Sequence, residues 1–189
     1  MTGKYLFKIC ALFLALVSLT ASTGFSQEAR LSNIVVTNTR DDLLLYLNVE
    51  GAFTPKMKKA ILSGVPATFS FKIGLYRVRD IWFDEEIVDK KITNTIKYDP
   101  LKKLFSIKRA WKGDDPLFTS SFREARALMT DIDSLKIIPL NQLEKGAQYQ
   151  IRAKAELDEL TLPFYLHYVL FFVSLWDFET DWYTIDFIY

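Results

Sequence analysis

The sequence predicts an all-β protein, an antiparallel β-sandwich with two short edge helices. Three observations predict it. Apolar and polar residues alternate with period 2 over most of the chain beyond Leu31. Turn-forming residues separate consecutive alternating runs. No long stretch carries the 3.6-residue period of a helix, and sequential strands with short turns close most simply into two packed antiparallel sheets. About seven or eight strands are expected.

Leu31–Thr37 is expected to pair with Leu43–Glu50 across Asn38–Asp42. In the second run Leu43, Leu45, Leu47 and Val49 alternate with Leu44, Tyr46, Asn48 and Glu50. Thr54 then caps a short helix with Pro55 at its first position, where a missing N–H costs nothing. Met57, Ala60 and Ile61 share a face of that helix, and Gly64 is its natural terminator. Phe69, Phe71, Ile73 and Leu75 alternate with Thr68, Ser70, Lys72 and Gly74, and the phase then slips to Tyr76 and Val78, as at a β-bulge. Ile92, Ile96 and Tyr98 share a face, and Asp99-Pro100 turns the chain into Phe105 and Ile107, which reads as a hairpin.

Ser121 and Glu124 form a capping-box pattern for a second helix, whose buried stripe would be Phe122, Ala125, Leu128 and Met129. Asn141–Gly146 reads as a single turn. In Ala147–Leu157 one face is Ala147, Tyr149, Ile151, Ala153, Ala155 and Leu157; the other is Gln148, Gln150, Arg152, Lys154 and Glu156. That is a strand wet on one side. Phe164–Trp176 is thirteen uncharged residues, too few to span a bilayer as a helix. It is expected to pack on the core, with Tyr183–Tyr189 as the last strand. It is also the stretch through which a membrane-surface contact would run.

Residues 1–26 read as a cleaved secretory signal, and residues 27–189 as a single β-sandwich domain. Lys4 and Lys8 are the basic start, Ile9–Ala21 the apolar run, and Gly24 and Ser26 the small residues before a cut at Gln27. The lone cysteine, Cys10, lies inside the signal and opens the apolar run, the wrong place for a lipid anchor. The mature chain therefore has no disulfide, no Cys nucleophile and no thiolate metal site. Half of the residues are hydrophobic, which excludes a disordered chain. The 24 basic and 23 acidic side chains nearly cancel, so no global field draws nucleic acid.

Three stretches stand out as motifs. The first is Leu75-Tyr76-Arg77, then Ile81-Trp82-Phe83-Asp84-Glu85, running on to Ile96-Lys97-Tyr98-Asp99-Pro100-Leu101. The second is Leu143-Glu144-Lys145-Gly146-Ala147-Gln148-Tyr149, with Arg152 and then Leu162-Pro163. The third is Trp176-Asp177-Phe178 with Asp181-Trp182-Tyr183. Together they resemble one family of exported bacterial proteins, domain of unknown function 4390. Where the family pattern leads one to expect a run of tryptophans, this chain has Trp82 alone, between Ile81 and Phe83. The resemblance carries over no activity, cofactor or catalytic residue. Genes of the family often lie beside those of nitrogen-regulation-type sensor kinases, which implies an envelope partner.

The candidate interaction surface is Trp82, with Arg77, Arg79 and Asp84 as an amphipathic rim. Tryptophan gives a large rigid contact with one donor, and it serves equally in a core. Trp111, Trp176 and Trp182 share that ambiguity. His167, the only histidine, sits among Phe164, Tyr165, Leu166 and Tyr168 and reads as structural. Asp84-Glu85-Glu86 with Asp89 lacks the spacing of a Ca²⁺ loop and reads as a solvated cluster. Lys56, Lys58 and Lys59, Lys90-Lys91 and Lys102-Lys103 have acids nearby and read as solvated faces. No nucleotide, zinc-protease or nucleophile-elbow motif is present. No catalytic, cofactor-binding or metal residue is assigned, and no cofactor is expected.

The expectation is an exported, non-catalytic protein-interaction module of the cell envelope, accessory to a membrane sensor kinase and periplasmic or envelope-associated after signal cleavage. Two alternatives stand beside it. One is inner-membrane attachment by an uncleaved N-terminal anchor. The other is a carboxylate-based hydrolase or binder of cell-wall sugars, which requires two carboxylates about 5–9.5 Å apart in an aromatic cleft.

Overall fold

The computed structural model describes residues 29–158 and 178–189. Residues 1–26, expected to be a secretory signal, the stretch Phe164–Trp176 and His167 within it lie outside the described residues. Among the described residues, nine strands and two α-helices follow in order: β1 (Arg30–Asn38), β2 (Asp42–Glu50), α1 (Pro55–Leu62), β3 (Ala67–Arg77), β4 (Glu85–Asp99), β5 (Leu104–Arg109), β6 (Leu117–Thr119), α2 (Phe122–Thr130), β7 (Asp131–Pro139), β8 (Gln148–Leu157) and β9 (Tyr183–Ile188). These strands form two antiparallel sheets. The smaller has the order β1-β2-β7 and the larger β6-β5-β4-β3-β8-β9. The chain is an all-β sandwich with two short helices, as its pattern predicts.

The alternation of β2 and β8 decides which faces meet. Leu43, Leu45, Leu47 and Val49 of β2 are buried against Phe69, Phe71, Ile73 and Leu75 of β3 and Tyr149, Ile151, Ala153 and Ala155 of β8. Removing that many apolar side chains from water, at roughly 1.5–3 kcal/mol for each large one, is the main drive that holds the sheets together without a disulfide. The outer face of the larger sheet is polar: Lys72 pairs with Glu156 at 2.9 Å and Lys91 with Asp158 at 3.2 Å.

Both helices start where the capping residues predict. Thr54 Oγ1 accepts from Met57 N at 3.2 Å, and Gly64, at φ 90°, turns the chain out of α1. At α2, Ser121 Oγ accepts from Glu124 N at 3.4 Å, but the reciprocal half of the capping box is rerouted. The Glu124 carboxylate accepts from Thr119 Oγ1 at 2.6 Å, and that hydroxyl oxygen accepts the Ser121 N–H at 3.0 Å. A hydroxyl relay thus replaces the direct bond and ties β6 to α2. Phe122 and Leu128 of the expected stripe are half-buried, while Ala125 and Met129 are fully buried. Phe122 stands edge-on to Phe53 at 5.8 Å and tilted on Phe105 at 5.8 Å, which joins α2 to the β2–α1 connection and to β5 of the larger sheet.

Strand β7 has no clean alternation, and its geometry shows why. Ser134 sits in the left-handed region at φ 57°. The β2–β7 register shifts between Leu43 and Leu44 and again between Leu45 and Leu47. Buried positions therefore fall at Ile132, Leu135, Ile137 and Ile138 rather than at every second residue. The two sheets are latched across this strand by Arg109, only 6% exposed, which donates to Asp133 Oδ1 at 2.7 Å and to the Asp131 carbonyl at 2.9 Å. Trp111 lies under that guanidinium at 4.6 Å and donates to the buried Asn94 at 3.0 Å. This tryptophan is therefore structural.

Candidate functional site

The longest hairpin, β3–β4, carries the candidate surface at its tip. The bulge lies in β4 and not in β3, where the slip of phase at Tyr76 was expected: Leu75 faces Val88 and Tyr76 faces Glu86, so Ile87 is the extra residue, while β3 keeps an unbroken register with β8 through Arg77. The ladder closes at Arg77 opposite Glu85, and residues 78–84 form the tip. Three consecutive side chains there are almost wholly in solvent. Ile81 is 88% exposed, Trp82 76% and Phe83 93%. Single exposed apolar residues are ordinary, but three large ones in sequence on one loop are not.

The charged residues around the tip work inward. Arg77 pairs with Glu144, on the β7–β8 connection, at 2.6 Å. Arg79 pairs with Glu85 across the base of the loop. Asp84 accepts from Arg152 Nη2 of β8 at 2.6 Å. Arg152 in turn lies 4.2 Å over the ring of Tyr76, whose hydroxyl donates to Glu86 at 3.2 Å. Burial, then that bond to Glu86, raises the Tyr76 pKa above its ordinary value, so the phenol stays a donor. Gly74 makes room for the ring, because a Cβ there would lie 2.5 Å from Tyr76 Cε2. Val78 N donates to Gln148 O at 2.9 Å and continues the tie to β8. The loop is thus tied to the body of the domain from three sides.

Asp84, Glu85 and Glu86 each turn to a different partner, so the acidic run does not converge. Among the described residues no three His, Asp or Glu side chains gather as metal ligands would. Also among the described residues, no helix is long and apolar enough to cross a membrane.

A separate cleft lies between the starts of β1 and β9, where Arg30, Glu50, Asp181, Trp182 and Tyr183 line one wall or another. Arg30 Nε and Nη2 both donate to one Glu50 oxygen, at 3.0 and 2.8 Å. The bonds from Arg30 hold the Glu50 pKa below the ordinary carboxylate value. A carboxylate held ionised at neutral pH in this way is an acceptor and not a general acid.

The family model for a domain of unknown function, DUF4390, matches residues 26–186. The chain belongs to this family. No curated protein and no solved structure matches it.

In this DUF4390 domain the sequence-derived residues divide into two roles. Trp82 is presented outward, whereas Arg77, Arg79 and Asp84 brace the loop that presents it. The members that sequence reasoning missed are Ile81 and Phe83. Their signal was present: three apolar residues in a row between Asp80 and Asp84 cannot alternate, so a strand cannot bury them all on one face.

Proposed function

We propose that this protein is an exported, non-catalytic interaction module that docks a protein partner in the cell envelope through the Ile81-Trp82-Phe83 tip. One observation carries the reading: the three side chains are exposed at 88%, 76% and 93% on a loop fixed by ion pairs at its base. An apolar tip on a rigid mount has the character of a binding hot spot, in which an aromatic anchor enters a desolvated pocket on the partner. Charge favours a protein pocket over an anionic bilayer, because Arg77 and Arg79 are paired internally and Asp80 stands exposed beside the tip. The partner we favour is a membrane sensor kinase, on the gene neighbourhood that the family resemblance implies. Export by residues 1–26 with a cleaved product in the periplasm is part of this proposal, and an uncleaved inner-membrane anchor is its alternative. N-terminal sequencing of the envelope fraction separates the two.

Photocrosslinking from position 82 in intact cells tests the docking. A single protein partner is expected, and its yield should collapse when Ile81 and Phe83 become serine. No specific partner, with kinase output unchanged on deletion of the gene, would sink the proposal. A second reading, binding of a cell-wall sugar, rests on the Glu50–Asp181–Trp182–Tyr183 cleft, where aromatic rings stand beside carboxylate acceptors. It predicts that muropeptide fragments quench Trp182 fluorescence.

A further inference from the structure

We propose that the groove between β4 and β7 binds a small anionic amphiphile, with its apolar chain on Ile92, Trp111, Leu135 and Ile137 and its head at the Lys90 ammonium. The site is independent of the docking tip. It stands on the register of β4. Lys90, Ile92, Asn94 and Ile96 alternate along one face of the strand, and Ile92, Asn94 and Ile96 are buried between the sheets. Lys90 is therefore a lysine on the core-facing side, at the mouth of the sandwich, and not part of a solvated face as its place beside Lys91 suggests.

Its bonding is unusual for a cation. Lys90 Nζ donates to the carbonyls of Lys136 at 2.9 Å and Ile137 at 3.3 Å. Among the described residues it has no carboxylate within ion-pair distance, whereas Lys136 pairs with Asp42 at 2.7 Å and Lys112 with Asp133 at 2.6 Å. An ammonium has three donors, and the two carbonyls use two of them. Burial, then the neighbouring Lys136, pushes the Lys90 pKa down. A half-buried cation whose charged neighbour is another cation is stabilised by any anion that reaches it.

The surrounding groove supplies the other half of the chemistry. It is a groove open to solvent with a volume of about 740 Å³, inside the range of small-molecule sites, and Ile92, Trp111, Leu135 and Ile137 are among its lining residues. An added β-strand is a poor occupant, although β7 is the outer strand of its sheet. The carbonyls such a strand would need are taken by Lys90, and Ser134 in the left-handed region breaks the ladder. What remains is an apolar trough with one unneutralised ammonium at its rim, which matches a single chain with a carboxylate, sulfate or phosphate head. A free fatty acid and a membrane lipid share that chemistry.

Calorimetric titration of laurate below its micelle concentration into the mature protein tests the site, with dodecyltrimethylammonium and dodecanol as controls of equal chain length. One-site binding is expected, with laurate at least about tenfold tighter than either control. Lys90→Met should abolish the preference and Lys90→Arg keep it, while Trp82→Ser changes neither. In a protein with Trp82, Trp176 and Trp182 replaced by phenylalanine, 12-bromododecanoate should quench the remaining Trp111. Displacement of laurate by phosphatidylglycerol vesicles would identify the source as membrane lipid, and its failure a soluble fatty acid. Equal affinity for the three twelve-carbon probes, measured on the unaltered protein, overturns the proposal, as does a preference that survives in Lys90→Met.

Discussion

Arg152 on β8 holds Asp84, at the foot of the β3–β4 tip, by a 2.6 Å bond while its guanidinium covers the ring of Tyr76 at 4.2 Å. One side chain therefore fixes both the loop and the strand that leads into it. The planar guanidinium can stack and donate at once, which an ammonium cannot. Arg152→Ala should cost about 1 kcal/mol, the sum expected for a half-exposed ion pair and a surface cation–π contact. Its larger effect should be on mobility. Time-resolved anisotropy of Trp82 should show faster local motion, and Arg152→Lys should restore little of the order.

The tip itself should contribute almost nothing to stability. Ile81, Trp82 and Phe83 lose little surface on folding, so replacing all three by serine should change the unfolding free energy by less than about 0.5 kcal/mol. The midpoint of urea unfolding checks this. A large loss would mean that the tip packs on the body, and its role as a docking element would fall with it.

Much of this architecture could be read from residue spacing. Strands β2 and β8 alternate cleanly because one face meets the core and the other is wetter, so period 2 survives in the sequence. The caps at Thr54 and Ser121 were readable because a short hydroxyl before a helix has one dominant use. Strand β7 was hidden because its bulges destroy the period that would reveal it, and the three-residue β6 is too short to show one. The tip was readable only in part: Trp82 draws attention by its type, but the inward turn of Arg77, Arg79 and Asp84 depends on Glu144, Glu85 and Arg152, two of them far along the chain. Lys90 was misplaced because a pair of lysines looks solvated until the register of β4 assigns alternate residues to opposite faces.

The acid branch of the stability curve should carry the mark of Asp133. Burial works against its charged form, but Lys112 and Arg109 outweigh burial and lower its pKa below the ordinary value. A carboxylate with a lowered folded pKa contributes stability that is present above its unfolded pKa, near 4, and lost as pH falls through the folded value. Asp131 behaves oppositely, since burial raises its pKa and acidification relieves it. Asp133→Asn should therefore flatten the loss of stability below about pH 4. At neutral pH it should cost roughly 2–3 kcal/mol, because it leaves the buried Arg109 with only the Asp131 carbonyl. Chemical denaturation from pH 2 to 7 measures both; an unchanged acid slope would show that Asp133 is not the group responsible.

The last prediction concerns Asn94, fully buried on the inward face of β4. Its amide nitrogen donates to Met129 O at 3.0 Å and its amide oxygen accepts from Trp111 Nε1 at 3.0 Å. It thereby fastens the last turn of α2 and the tryptophan behind Arg109 to the larger sheet. Asn94→Leu keeps comparable volume and removes both bonds, leaving a carbonyl and an indole N–H without partners, at a cost of about 1–3 kcal/mol for each group that water cannot reach. Asn94→Asp separates the two bonds. The indole can still donate to the new carboxyl group, but Met129 O then faces an acceptor unless that group is protonated. A fully buried carboxyl is pushed toward its neutral form. The Asn94→Asp variant should therefore be less stable than the unaltered chain at pH 7 and should recover part of the difference as pH falls, opposite in sign to the effect of Asp133. Urea unfolding at pH 7 and pH 5 decides it: if this variant gains nothing on acidification relative to the unaltered chain, the Asn94 amide is not the clasp between α2 and the sheet.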